Sequence, residues 1–375
     1  MITPKSSFRM GFFYIHKIQY QLMKKHNFSA GPCILPQEVF QKSAEAILDF
    51  NGIGLSLLEI SHRSKDFVAV MEEARAIVKR LMNLDDSYEV LYLQGGASLQ
   101  FVMVPFNLMK ADGGKAAYLD TGVWASGAIK EAKKLGQVDI VGSSKEDNYS
   151  FIPKDFTVGA EYDYFHCTSN NTIYGTQIKN FPKVDTLKVC DMSSDIFSRQ
   201  LDFSQFDLIY AGAQKNMGPA GTTLVVVKKE ILGKTGRDIP SYLDYSLHVD
   251  KESMFNTPPV FAVYASLLTL QHLENNGGIA AAEQRNEAKA KLLYDEIDRN
   301  PLFETFCRKE DRSFMNVSFK LLDESKKEAF DKAWKEAGIN GLNGHRKLGG
   351  YRASLYNALP IESVQVLVDV MKSFA

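Results

Sequence analysis

An α/β fold is predicted for this chain: a large domain built on a mainly parallel, helix-flanked sheet, followed by a smaller α+β C-terminal domain. Three observations predict it. Between residues 88 and 228, short apolar runs rich in β-branched and aromatic residues alternate with helical patterns, the order expected of a sheet covered on both faces. From about Pro258 the order changes to two long helical stretches, then strand, helix, strand, helix. The 375 residues also exceed one ordinary domain.

The elements follow in chain order. Pro36 opens the helical stretch PQEVFQKSAEAILDF, since a first-turn proline gives up no needed amide. Residues 66 to 83 form a helix with Phe67, Val70, Met71, Ala74, Ile77, Val78 and Leu81 on one face. YEVLYL (88–93) is a strand, and Gly95-Gly96 starts a helix reaching about Met109. KAAYLD (115–120) is a strand and GVWASGAIKEAKKLG a helix. VDIVG, YDYFHC, TLKVCDMS, FDLIYA and TTLVVV continue the strands. The two long helices meet at Gly277-Gly278. SFMNVSFKL, KEAFDKAWKEAG, YRASLYN and IESVQVLVDVMKSF then complete the smaller unit. The implied organisation is 1–22 as a non-core extension, 23–36 as a segment packing near the small domain, 37–275 as the large domain and 276–375 as the small one.

Composition narrows the function. Hydrophobic residues at 45% and charged residues at 24% describe a globular chain, and a net charge of -1 offers no broad footprint for nucleic acid. No apolar run reaches the ~18 residues of a membrane span. Cys33, Cys167, Cys190 and Cys307 lie far apart without a C-x-x-C pair, and the seven histidines show no metal spacing. Reduced thiols and a cytoplasmic location fit, and no metal is expected. Residues 1 to 22 are basic, aromatic and free of acids, yet their apolar part is interrupted and lacks a cleavage pattern.

Ligands of such sheets sit outside the carboxyl ends of the strands, so those positions carry the chemistry. After YEVLYLQ comes Gly95-Gly96-Ala97-Ser98, whose backbone amides and hydroxyl suit a phosphate; Ser98 as a helix N-cap is the plain alternative. After KAAYLDTG comes Trp124, able to stack on a planar ring or simply to pack. After YDYFHC comes Thr172 in a polar loop. After TLKVC comes Asp191, a carboxylate that needs a partner or caps a helix. After FDLIYAGAQ comes Lys215 among Gly212, Gly218 and Gly221. It is either a solvated loop lysine or an amine tuned by its surroundings. Asp191 and Lys215 are separated by 215 − 191 = 24 positions, about one crossover. A phosphate cradle, a ring, a hydroxyl, a carboxylate and a lysine together match the needs of pyridoxal phosphate.

The chain resembles the phosphoserine aminotransferases, class-V enzymes of the fold-type I, aspartate-aminotransferase-like pyridoxal-phosphate group. The resemblance runs from HNFSAGP at residue 26 to the C-terminus. It rests on FSAGP, SHRS, QGGAS, VCDMSSD, YAGAQKNMGPAG, NTPPVFAVY and GHRKLGGYRASLYNA. It implies Lys215 as the Schiff-base lysine that also shuttles the proton, with Asp191 keeping the ring nitrogen protonated. Trp124 would stack on the ring and Thr172 lie beside the 3′-oxygen. Ala97, Ser98 and Gln214 would hold the phosphate, with Asn256 and Thr257 reaching it across a homodimer.

The resemblance further implies a ping-pong exchange between O-phospho-L-serine with 2-oxoglutarate and 3-phosphohydroxypyruvate with L-glutamate, in serine biosynthesis. The homologous 4-phosphohydroxy-L-threonine step of pyridoxine biosynthesis is a second implied reaction. Substrates with two separated anions require two cationic clamps. Arg352 resembles the α-carboxylate arginine, and His62, Arg63, His345 and Arg346 resemble the residues facing the distal anion. Some relatives carry arginine at the position of Ser98, which shifts that task here towards Arg63 and Arg346. The rivals are a small-substrate transaminase, a cysteine desulfurase, and a nucleotide-binding α/β protein that would leave Asp191 and Lys215 unexplained.

Overall fold

The computed structural model describes residues 24–374; the expectation for residues 1–22 falls outside that range. The chain enters through β1 (His26–Asn27) and a helix at Gln37–Leu48. The helix Lys65–Met82 starts where Ser64 accepts a hydrogen bond from the Phe67 amide and stops at left-handed Asn83, as an N-cap serine and an αL asparagine favour. Its buried face is the expected one with a single correction: Leu81 is half-buried, and Met82 takes the inward position at the last turn.

The large sheet contains β2 (Tyr88–Leu93), β3 (Lys115–Asp120), β4 (Gln137–Ser143), β5 (Tyr164–Thr168), β6 (Leu187–Asp191), β7 (Leu208–Gly212) and β8 (Thr223–Lys228). Their spatial order is β2-β8-β7-β6-β5-β3-β4. All pairings are parallel except those of β8, which runs antiparallel to both β2 and β7. The segment 213–222 is too short for the crossover of a dozen or more residues that a parallel pair needs. Because β8 reverses between them, β2 and β7 point the same way as β3, β5 and β6. With β4, which is parallel to β3, six carboxyl ends therefore open on one edge of the sheet. β5 and β7 are buried along their whole length and β6 beyond its first residue, which is why they read as continuous apolar runs rather than alternating ones.

Helices Gly96–Leu108 and Val123–Ala132 cover one face with Leu91, Phe101, Tyr164 and Tyr210 in their core. Helices Lys65–Met82 and Val260–Asn275 cover the other with Ile77, Phe165, Ile209 and Val263. The C-terminal region adds the helix Gly278–Arg299, β9 (Phe303–Thr305), β10 (Asn316–Leu321), the helix Lys327–Glu336, β11 (Ile339–Asn340), β12 (Tyr351–Ser354) and the helix Ile361–Lys372. β12, β10 and β9 form an antiparallel sheet, and β11 pairs in parallel with β1. Phe330 centres a separate core, its ring 5.2 Å from Phe303 and 5.0 Å from Tyr351. Phe28 belongs to that same core, so the N-terminal segment packs with the C-terminal elements although more than 250 residues separate them in sequence.

Candidate active site

Lys215 stands in the turn after β7, among the opened strand ends. Its Nζ lies 2.9 Å from Thr172 Oγ1 and 5.4 Å from the centre of a Trp124 ring. Burial pushes the ammonium down to about 8, with Asp191 pulling the other way and Arg352 adding to the decrease. At neutral pH roughly a tenth of such an amine is unprotonated, far more than for a free lysine. The turn is braced from behind: the Cys33 amide donates to Gln214 O at 3.1 Å, and the Cys33 thiol donates to Lys215 O. Gly31 faces the side chain so closely that a Cβ there would lie 3.3 Å from Lys215 Cγ.

Asp191 ends β6 and is 4% exposed. Its Oδ1 accepts from the Ser193 amide at 2.9 Å and the Ser193 hydroxyl at 2.6 Å. No helix follows it, so these bonds close a local turn instead of capping a helix. The Ser193 hydroxyl in turn accepts from the Gly212 amide at 3.1 Å, tying the ends of β6 and β7 together. Burial pushes the Asp191 carboxyl up, while Lys215 and the two Ser193 donors oppose that rise. Ser193 and Cys33 were not anticipated from sequence; the D-x-S spacing of a side-chain turn was the one available signal.

The helix Gly96–Leu108 is entered at Gly95 with φ 87° and without a side-chain cap. Ser98 is therefore not the N-cap. It sits exposed in the first turn beside half-buried Ala97, where helix amides have no intrahelical acceptor. Trp124 opens the next helix, Val123–Ala132, and is 37% exposed. Gln214 is half-buried beside Lys215. Half-buried Asn256 and exposed Thr257 precede the helix Val260–Asn275, and the Thr257 carbonyl accepts from Gln94 Nε2 at 2.7 Å.

Arg352 on β12 reaches across from the C-terminal sheet, donating from Nη1 to Thr172 O at 3.3 Å. Its Nε is buried without a partner, and burial pushes the guanidinium down from its usual range. The His345 imidazole is pushed below its usual range first by burial and then by the positive charges of Arg352, Arg346 and Lys347. One cationic neighbourhood thus gathers Arg352, His345 and Arg346, with exposed Arg346 on its outer side. His62 and Arg63 precede the helix Lys65–Met82. His62 Nε2 is buried without a partner, Arg63 is exposed, and no ion pair ties either to the Lys215 group among the described residues. Burial pushes the thiols of Cys33 and Cys307 up to about 12 and about 11 and raises Cys190 as well, the opposite of what a nucleophilic thiol needs.

A lysine, a buried carboxylate and a free helix entry converge at strand ends in a fold-type I architecture, and the family comparison agrees. The Aminotransferase class-V family model matches residues 25–367, and the chain belongs to that family. It is similar to the phosphoserine aminotransferase of Flavobacterium psychrophilum, 70% identical over 351 residues that cover 93% of this chain and 98% of the relative. Among solved structures, phosphoserine aminotransferase from Bacillus circulans subsp. alkalophilus superposes with a TM-score of 0.91 at 42% identity, over 94% of this chain and 98% of that one. A pyridoxal-phosphate-bound phosphoserine aminotransferase from Trichomonas vaginalis does so with a TM-score of 0.88 at 33% identity, over 93% and 100%.

Proposed function

We propose that the protein is a pyridoxal-phosphate aminotransferase that exchanges the amino group between O-phospho-L-serine with 2-oxoglutarate and 3-phosphohydroxypyruvate with L-glutamate. The observation that carries the reading is the buried Lys215 amine of lowered basicity, 2.9 Å from the Thr172 hydroxyl and facing the buried carboxylate of Asp191. The residues fit the cofactor. A lysine of lowered basicity can condense with an aldehyde, a buried acid suits a ring cation, and unpaired first-turn amides suit a phosphate.

Bound there, pyridoxal phosphate would supply a carbonyl for amines and a ring that withdraws electrons from the substrate α-carbon. The chain's own tasks are then distinct. Lys215 Nζ takes the α-proton and returns it. Asp191 would keep the ring nitrogen protonated, its carboxylate aimed by the two Ser193 donors. Trp124 would stack on the ring, and Thr172, whose hydroxyl accepts from Lys215 Nζ, would lie beside the 3′-oxygen. Ala97, Ser98 and Gln214 bind phosphate together with Asn256 and Thr257 of the partner subunit. Arg352 takes the α-carboxylate; its unpartnered Nε is a donor in waiting. His345 and Arg346, with His62 and Arg63, take the distal phosphate or carboxylate.

Both half-reactions use one site, so the kinetics are ping-pong. A homodimer is supported by an apolar stretch just ahead of His62-Arg63, where Leu48 is 83% and Leu58 is 62% exposed. We read 37–275 as the cofactor-carrying unit and 276–375, with the N-terminal segment, as the substrate-clamping unit. A cytoplasmic location and a second activity on 4-phosphohydroxy-L-threonine, which adds one carbon while keeping both anions, complete the proposal. The test is the visible spectrum of the purified protein before and after phosphoserine, followed by borohydride reduction and peptide mapping. Conversion of the band and a tag on Lys215 are expected; a spectrum indifferent to phosphoserine, or an untagged Lys215, would overturn the assignment.

A further inference from the structure

Asp195 lies four residues beyond Asp191 and is as deeply buried, 3% exposed against 4%. Its Oδ2 accepts from Gln177 Nε2 at 3.1 Å and from Arg199 Nη2 at 3.4 Å, and its Oδ1 accepts from the Ser169 hydroxyl. The Arg199 contact is long and single, and Arg199 Nε has no partner. Burying such a pair is expensive, and the attraction repays that only with good geometry, so stability alone does not explain it.

Ser169 shows what the carboxylate touches. Its amide donates to Asp191 O at 2.9 Å, while its hydroxyl lies within reach of both Asp191 O and Asp195. The hydroxyl has one proton, and of its two acceptors the Asp195 carboxylate is the charged and therefore stronger one, so the hydroxyl donates to Asp195. Asp195 is thereby fastened to the strand end that presents Asp191. The charged and titratable groups facing it are Arg199, Lys179, Cys190, Asp191 and Lys215. Those facing Lys215 are Asp191, Arg352 and Asp195.

We propose that Asp195 is a positioning residue of this site, a second buried carboxylate that steadies the end of β6 through Ser169 and adds a negative charge on the Lys215 side of it. The proposal rests on the roles given to Lys215 and Asp191 above. It is tested with Asp195→Asn in the cofactor-loaded protein, by the pH midpoint of the visible band, and by the pH midpoint of Lys215 acylation in protein stripped of cofactor. Removing a nearby anion disfavours the protonated amine, so both midpoints should fall by roughly 0.5–1 pH unit, about a 3- to 10-fold gain in unprotonated form at fixed pH. Because Asp195→Asn strands Arg199, Asp195→Asn/Arg199→Met is the second variant, with a smaller fall expected. Unchanged midpoints in the folded single variant, or in the double variant if the single one does not fold, reject the proposal. A wild-type protein without a visible band would instead reject the cofactor assignment, and the acylation midpoint would still decide the role of Asp195.

Discussion

Thr172 meets two residues from opposite directions: Lys215 Nζ approaches its hydroxyl to 2.9 Å, and Arg352 Nη1 approaches its carbonyl to 3.3 Å. The polar loop after β5 therefore joins the lysine of the large sheet to the arginine of the C-terminal sheet. Replacing Thr172 with Val keeps its shape and removes the hydroxyl. The expected result is a 10- to 100-fold loss in kcat, about 1.4–2.8 kcal/mol, with the borohydride tag still on Lys215. Steady-state kinetics with phosphoserine checks it, and a variant as active as wild type would remove Thr172 from the site.

Arg352→Ala should raise KM for phosphoserine and for glutamate alike, since both present an α-carboxylate. A charge-assisted hydrogen bond contributes ~1.5–3 kcal/mol, so a change of about 10- to 150-fold is expected for each. A rise confined to phosphoserine would assign Arg352 to the phosphate instead.

Gly31 has φ +139°, and a Cβ at that position would touch Lys215 Cγ at 3.3 Å and Gln214 Cγ at 3.6 Å. Gly31→Ala adds backbone strain of about 1–3 kcal/mol and presses on the lysine itself. Lower thermal stability together with weaker cofactor retention is expected. Wild-type cofactor retention would show that the lysine tolerates the methyl group.

Lys289 is 1% exposed and donates to the Leu355 and Tyr356 carbonyls at 2.8 Å each, directly after the strand that carries Arg352. Burial pushes its ammonium down to about 7, below the ~10.4 of an unfolded lysine. Between those values the unfolded chain binds more protons, so this group makes stability rise with pH from about 7 towards 10.4 and penalises the fold below that window. Lys289→Met should flatten the slope by up to ~1.4 kcal/mol per pH unit in that window. Urea titrations at several pH values measure it, and an identical slope would show that Lys289 stays charged in the fold.

Much of this was legible locally. Each large-sheet strand announced itself as an apolar run, and each candidate residue followed such a run: Ser98, Trp124, Thr172, Asp191, Lys215. Where reading failed, the signal was absent or ambiguous. β1 and β11 are two residues each, too short for any periodicity. Leu81 and Met82 are neighbours at a helix end, and which one faces inward depends on the partner helix. The helix-cap alternative for Ser98 drops out, because Gly95 supplies the left-handed entry.

By itself the amino-acid order determined which segments become strands and helices and which polar side chains stand at the strand ends, because backbone geometry and burial impose periods of two and 3.6 on nearby residues. Only the tertiary structure decided that Arg352 reaches Thr172, that Cys33 braces Lys215 and that Ser169 joins the end of β6 to Asp195. The first two contacts join residues about 180 positions apart, and every one depends on how sheets and helices pack. Packing is set by the summed burial of many side chains, and no short stretch of sequence encodes it.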